Sequence, residues 1–250
     1  MSPDGSSFTT LNLPSTYTPP SCMEYFTLTA QPDTDLWRKP PNRDISTAPI
    51  VYTSLQRPFI IAEVTVSADW EMEWDQGGLV IFAGATPQSP STPAIRSRRH
   101  PQPRSKWVKA GMEFSSGTVN ASSVSATADG ADWCLSPLCP PHASMVINSL
   151  RIKLERIGHA LWIWYQIPLP TGSSAPTPGA VGHSWRKLRE VTWFFYGVED
   201  KFIHVGVYAS RPTNLPRSSL MWEVRNGSSL PSTATCADGL VVEFEDLEIF

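Results

Sequence analysis

The chain contains no apolar run near the roughly 18 residues that would suggest a membrane helix. No segment shows a long 3.6-residue periodicity, so a helical bundle is not expected. Neither sign of charge dominates: 20 Lys and Arg stand against 23 Asp and Glu, a net charge of −3. That balance gives no global electrostatic case for nucleic acid. The one basic run, Arg96-Ser-Arg-Arg-His-Pro-Gln-Pro-Arg-Ser-Lys106, sits among prolines and reads as a solvated loop. The start, Met1-Ser-Pro-Asp-Gly-Ser-Ser, has neither a basic nor an apolar signal region, which points to the cytoplasm. Cys22, Cys134, Cys139 and Cys236 then read as reduced thiols. Cys134, Cys139 and His142 lack a second pair of ligands, so no metal site and no cofactor are expected. His100, His142, His159, His183 and His204 show no H-x3-H spacing, and no G-x-S-x-G, P-loop or G-x-G-x-x-G occurs.

What is abundant is proline (24 residues), tryptophan (10 residues) and short β-branched or aromatic stretches. Strands are expected near 24–29, 49–54, 58–67, 77–84, 106–114, 117–126, 145–157, 160–167, 187–195, 202–209 and 239–249. Ser149-Leu-Arg-Ile-Lys-Leu-Glu-Arg-Ile157 alternates apolar and charged residues, then meets Ala160-Leu-Trp-Ile-Trp-Tyr165 across a Gly158-His159 hairpin turn. Such a series implies an all-β fold, an antiparallel β-sandwich of jelly-roll type. Residues 1–21 are polar and proline-bearing, the pattern of a loose arm, and 22–250 read as a single sandwich domain. Two polar stretches, 85–105 and 168–184, read as loop insertions.

The chemistry concentrates in Trp107-Val-Lys-Ala-Gly-Met-Glu-Phe114. As a strand it turns Trp107, Lys109, Gly111 and Glu113 to one face and Val108, Ala110, Met112 and Phe114 to the other. An aromatic and a carboxylate on one sheet face can grip a polar ring such as a sugar. Glu113 could meet a ligand hydroxyl or pair with Arg151 or Lys153 from a facing strand. Asp132-Trp133 is expected in a turn. Glu71-Met-Glu-Trp-Asp75 would put Glu71, Glu73 and Asp75 on one face if extended, and would be a solvated loop otherwise. Trp70 and Trp74 flank those carboxylates, as core packing, as edge cover or as a sugar-stacking pair.

Several motifs recur in a familiar order: Leu36-Trp37, Gly77-Gly-Leu-Val-Ile-Phe82, Trp107-x-Lys-x-Gly-x-Glu113, Asp132-Trp133, Leu150-Arg-Ile-Lys-Leu-Glu-Arg156, Trp185 with Arg189, Val205-Gly-Val-Tyr-Ala-Ser-Arg-Pro212 and Val241-Val-Glu-Phe-Glu-Asp246. In this the chain resembles the DUF1349 family, which includes proteins described as regulators of enolase. The resemblance implies a concanavalin A-like lectin/glucanase sandwich. It also implies a non-catalytic cytosolic binding domain for a carbohydrate, a small polar metabolite or a protein partner in carbon metabolism. On that reading Trp107 and Trp133 stack on the ligand, Glu113 and Asp132 accept hydroxyl hydrogen bonds, Arg211 donates, and Trp74 and Gln76 form the rim. The alternative is a glycoside hydrolase-like enzyme with Glu71 or Glu73 as nucleophile and Glu113 as general acid.

Overall fold

Short alternating segments joined by tight turns pair into fifteen strands in the computed structural model, which describes residues 7–40, 44–86, 105–138, 147–168, 184–198, 202–214 and 239–250. In chain order they are β1 (Phe8–Leu11), β2 (Tyr25–Ala30), β3 (Leu36–Trp37), β4 (Ile45–Ser46), β5 (Ile50–Leu55), β6 (Ile61–Ala68), β7 (Gln76–Ala83) and β8 (Lys106–Ser115). They continue with β9 (Thr118–Thr127), β10 (Gly130–Pro137), β11 (Ser149–Ile157), β12 (Ala160–Gln166), β13 (Arg186–Val191), β14 (Ile203–Ser210) and β15 (Leu240–Ile249). Among the described residues no helix is long and apolar enough to cross a membrane.

A seven-stranded sheet runs β1-β5-β14-β7-β8-β9-β10 and a six-stranded sheet runs β13-β12-β11-β6-β15-β2. Their facing sides share one apolar core, including Val108, Ala110 and Met112 from β8 and Ile152 and Leu154 from β11. The expected Gly158-His159 hairpin joins β11 to β12, with Gly158 at φ 62°.

The outward side of the seven-stranded sheet is also covered. The segment carrying β3 and β4 lies over it and builds a second cluster from Leu36, Ala48, Val80, Phe82, Trp107 and Tyr208. All eight residues of β7 are therefore buried. The alternation read for Trp107–Phe114 holds, but its polar face is roofed rather than open.

Two expectations change, and of the two readings of Glu71–Asp75 the extended one falls. Residues 8–11, placed in a loose arm, form β1 and pair with β5, anchored by the buried Phe8. Asp132-Trp133 lies within β10, paired with Ser125 and Val124 of β9. Glu71–Asp75 is not extended: Asp75 N–H donates to Met72 O at 2.9 Å, and Trp74 sits at φ 68°. Most of the two insertions, together with Cys139, His142 and Cys236, lies outside the described residues.

Candidate functional site

A cleft of about 450 Å³ opens on the outward side of the seven-stranded sheet. Its floor comes from neighbouring strands: Gln76 begins β7 directly opposite Glu113 of β8, and Lys109 precedes Glu113 on the same face of that strand. Asp35, just before β3, brings a second carboxylate. Trp37, Trp74 and Trp133 form the sides, with Lys39 and Pro212 at the rim.

The floor is locked by its own bonds. Lys109 is 1% exposed. Its Nζ donates to Asp35 Oδ1 at 3.1 Å and lies 5.4 Å from the centroid of the Tyr208 ring. Leu36 N–H donates to the same Asp35 oxygen at 2.7 Å. Glu113 is 2% exposed, and its Oε2 accepts from Ser122 Oγ at 2.5 Å and from Trp133 Nε1 at 3.2 Å. Burial raises the Glu113 pKa above the ordinary carboxylate value, with a smaller push from the Asp35 charge. The Ser122 bond, the Lys109 charge and the Trp133 bond oppose that rise. Burial and the charges of Glu113 and Asp35 likewise raise Tyr208, which therefore stays a neutral phenol.

Trp74 and Trp133 are 46% and 43% exposed. Two ladder bonds, Trp74 N–H to Phe114 O at 2.8 Å and Phe114 N–H to Asp75 O at 2.9 Å, hold Trp74 beside β8. The outer face of the six-stranded sheet presents its indoles differently. There Lys187 Nζ lies 3.7 Å from the Trp162 centroid, and Lys153 Nζ lies 5.5 Å from Trp164 and 4.5 Å from Trp185. Those tryptophan faces are already occupied by cations. A larger hollow of about 710 Å³ beside Arg57, Arg156 and Phe202 has neither a carboxylate nor a tryptophan among its described lining residues.

The family profile described as "Protein of unknown function (DUF1349)" matches residues 11–250. The chain belongs to the DUF1349 family. An uncharacterized protein of Emericella nidulans is 31% identical over 190 residues, covering 76% of this DUF1349 chain and 78% of its own length. A functionally unknown protein from Saccharomyces cerevisiae superposes with a TM-score of 0.63 at 18% identity, over 99% of this chain and 98% of that one. The GH43 protein BlXynB of Bacillus licheniformis superposes with a TM-score of 0.55 at 12% identity, over 100% of this chain but 38% of its own. These likenesses place the DUF1349 chain in a concanavalin A-like β-sandwich fold, and at such identities they speak for fold alone.

Of the sequence-derived site residues, the structure brings Glu113, Trp133, Trp74 and Gln76 together in the cleft. It places three elsewhere. Trp107 is buried in the second cluster and lines no part of the cleft. Asp132 points to the other side of β10, where its carboxylate pairs with Arg189 of β13 and joins the edges of the two sheets. Arg211 is buried against Asp75, its Nε and Nη2 each 2.8 Å from a carboxylate oxygen.

The alternative catalytic set also separates. Glu73 accepts from Ser115 Oγ at 2.8 Å and from Ser116 N–H at 2.9 Å, capping the β8–β9 turn. Glu71 lines a separate shallow hollow beside Trp70. Glu113 does not meet Arg151 or Lys153: Arg151 pairs with Glu63 at 3.1 Å on the six-stranded sheet. The cleft adds Asp35, Trp37, Lys39 and Lys109 to the sequence-derived set. Lys109 was visible in the alternation with Glu113; Asp35 carries no local signal, because its partner is 74 residues away.

Proposed function

We propose that this DUF1349 protein is a non-catalytic binding domain whose cleft takes a carbohydrate or another small polar ligand. The observation that carries this reading is one juxtaposition: two half-exposed indoles, Trp74 and Trp133, stand over buried polar groups, and one of them bonds to the carboxylate it stands beside. An apolar ring face can stack on an indole while its hydroxyls reach the carboxylates of Glu113 and Asp35. The hydrogen bond from Trp133 fixes the angle between stacking surface and acceptor, which limits the ordering a ligand would impose.

The enzymatic alternative keeps only Glu113 of its original carboxylates. A carboxyl with a raised pKa beside an aromatic suits a general acid, and this is the observation in its favour. Its nucleophile would have to be a group other than Glu71 or Glu73.

Thermal-shift and fluorescence titration against mono- and oligosaccharides tests the binding reading, with Trp74→Ala and Trp133→Ala run alongside. A saturable response that both folded variants lose supports it, and the same ligand is then assayed for turnover. A flat response across the panel sinks the small-ligand reading and turns attention to a protein partner in carbon metabolism.

A further inference from the structure

The floor of the cleft has a definite inventory of unused hydrogen-bonding atoms. Both bonds to the Glu113 carboxylate fall on Oε2, and both bonds to the Asp35 carboxylate fall on Oδ1. Glu113 Oε1 and Asp35 Oδ2 thus have no hydrogen-bond partner among the described residues, although Glu113 is almost wholly buried and both residues line the cleft. An ionised carboxylate oxygen only accepts, so whatever fills these positions must donate. Hydroxyl and ammonium groups donate, whereas an ionised carboxylate or phosphate only accepts. Lys109 is taken up by Asp35, and Lys39, the other cation of the lining, is exposed at the rim, so no salt bridge offsets Glu113 among the described residues. An anionic group set against that carboxylate between the indoles would be uncompensated, and such a charge is costly.

We propose that the cleft selects a sugar ring free of anionic groups, two of whose hydroxyls donate to Glu113 Oε1 and Asp35 Oδ2, and discriminates against the same ring carrying a carboxylate or a phosphate. This rests on the carbohydrate reading above and makes Glu113 its specificity-determining residue. Ser122 and Trp133 hold the Glu113 carboxylate from one side and leave the other oxygen presented to the ligand. The ion pair with Lys109 does the same for Asp35.

The test is calorimetric titration with three matched series: neutral hexoses and pentoses with their disaccharides, the corresponding uronic acids, and hexose phosphates. For whichever ring binds, the neutral member is expected to bind at least tenfold tighter than each anionic counterpart. Glu113→Gln is expected to weaken the neutral ligand at least tenfold and to narrow its advantage over the uronic acid. Glu113→Asp, which retracts the oxygen but keeps the charge, is expected to weaken binding while still rejecting the acid. Thermal unfolding of each variant establishes that it is folded. Equal or tighter binding of a charged member overturns the selectivity while leaving the cleft reading intact, as does a Glu113→Gln protein with unchanged affinities. No response from any series, or binding that survives Trp74→Ala and Trp133→Ala, overturns the cleft reading itself and the selectivity with it.

Discussion

Removing the Asp75 carboxylate should cost this fold more than any surface charge would. Asp75 is 0% exposed and Arg211 6% exposed. Besides the two bonds from Arg211, the Asp75 carboxylate accepts at Oδ2 from Met72 N–H at 3.0 Å and Glu71 N–H at 3.2 Å. Arg211 is in turn bound through its backbone to Thr34, N–H to Oγ1 at 3.0 Å and O from Thr34 N–H at 3.2 Å. One ion pair therefore ties together the turn bearing Trp74, the segment leading to Asp35, and the end of β14. Asp75→Ala leaves the guanidinium buried without its carboxylate, a change that costs about 3–5 kcal/mol. For a chain of this size each kcal/mol lowers Tm by about 2–4 °C, so a fall of roughly 6–20 °C is expected from those two ranges. Urea unfolding followed by tryptophan fluorescence measures the loss. The double variant Asp75→Ala/Arg211→Met should be less destabilised than the two single losses added together, because it leaves no buried guanidinium behind. A single-variant loss below about 1 kcal/mol, the range of an exposed pair, would refute the assignment of Arg211 to structure.

Gly111→Ala would place a Cβ 1.9 Å from Gly77 O and 2.7 Å from Gly77 C, a clash with the backbone of β7. A loss of more than about 3 kcal/mol, or failure to fold, is expected in chemical denaturation. Glu113 has a raised pKa in the folded state, so its contribution to stability is fully present below the ordinary carboxylate pKa and is lost as pH rises through the folded value. The stability of the native protein relative to Glu113→Gln should accordingly decline with rising pH across that window; denaturation curves at a series of pH values check it, and a relative stability that climbs would be contrary. Asp132→Ala removes an exposed pair with Arg189, and its cost should stay below about 1 kcal/mol by thermal melt.

The strand series was readable because its residues alternate. Arg151, Lys153 and Glu155 mark one face of β11, and Leu150, Ile152 and Leu154 the other. β1 has little pattern of its own because Phe8-Thr-Thr-Leu11 has one buried residue and is held by pairing to the distant β5, where Phe8 stands opposite Thr53 and Thr9 opposite Tyr52. Asp132-Trp133 reads as a turn because Gly130-Ala-Asp-Trp133 carries turn residues, and only the register of β10 with β9 makes it a strand. The faces of β8 follow from its alternation but their exposure does not: Trp107 is roofed by Leu36 and Ala48, whose approach depends on contacts distant in sequence. The three carboxylates of 71–75 part company because Trp74 leaves the extended region, which periodicity cannot show. Glu113 and Trp133 stand out singly in the sequence as candidates. Their hydrogen bond, and the pairing of Lys109 with Asp35, required the fold.

The ten tryptophans supply the most direct test of the central claim, because each carries one indole N–H. Following those signals by NMR while titrating the neutral sugars, with assignment by single Trp→Phe variants, locates any binding on the molecule. The signals of Trp74 and Trp133 are expected to move, Trp133 most through its bond to Glu113, while Trp162, Trp164 and Trp185 stay still. Movement confined to those three outer-face indoles, or none at all, would contradict a binding site in the cleft.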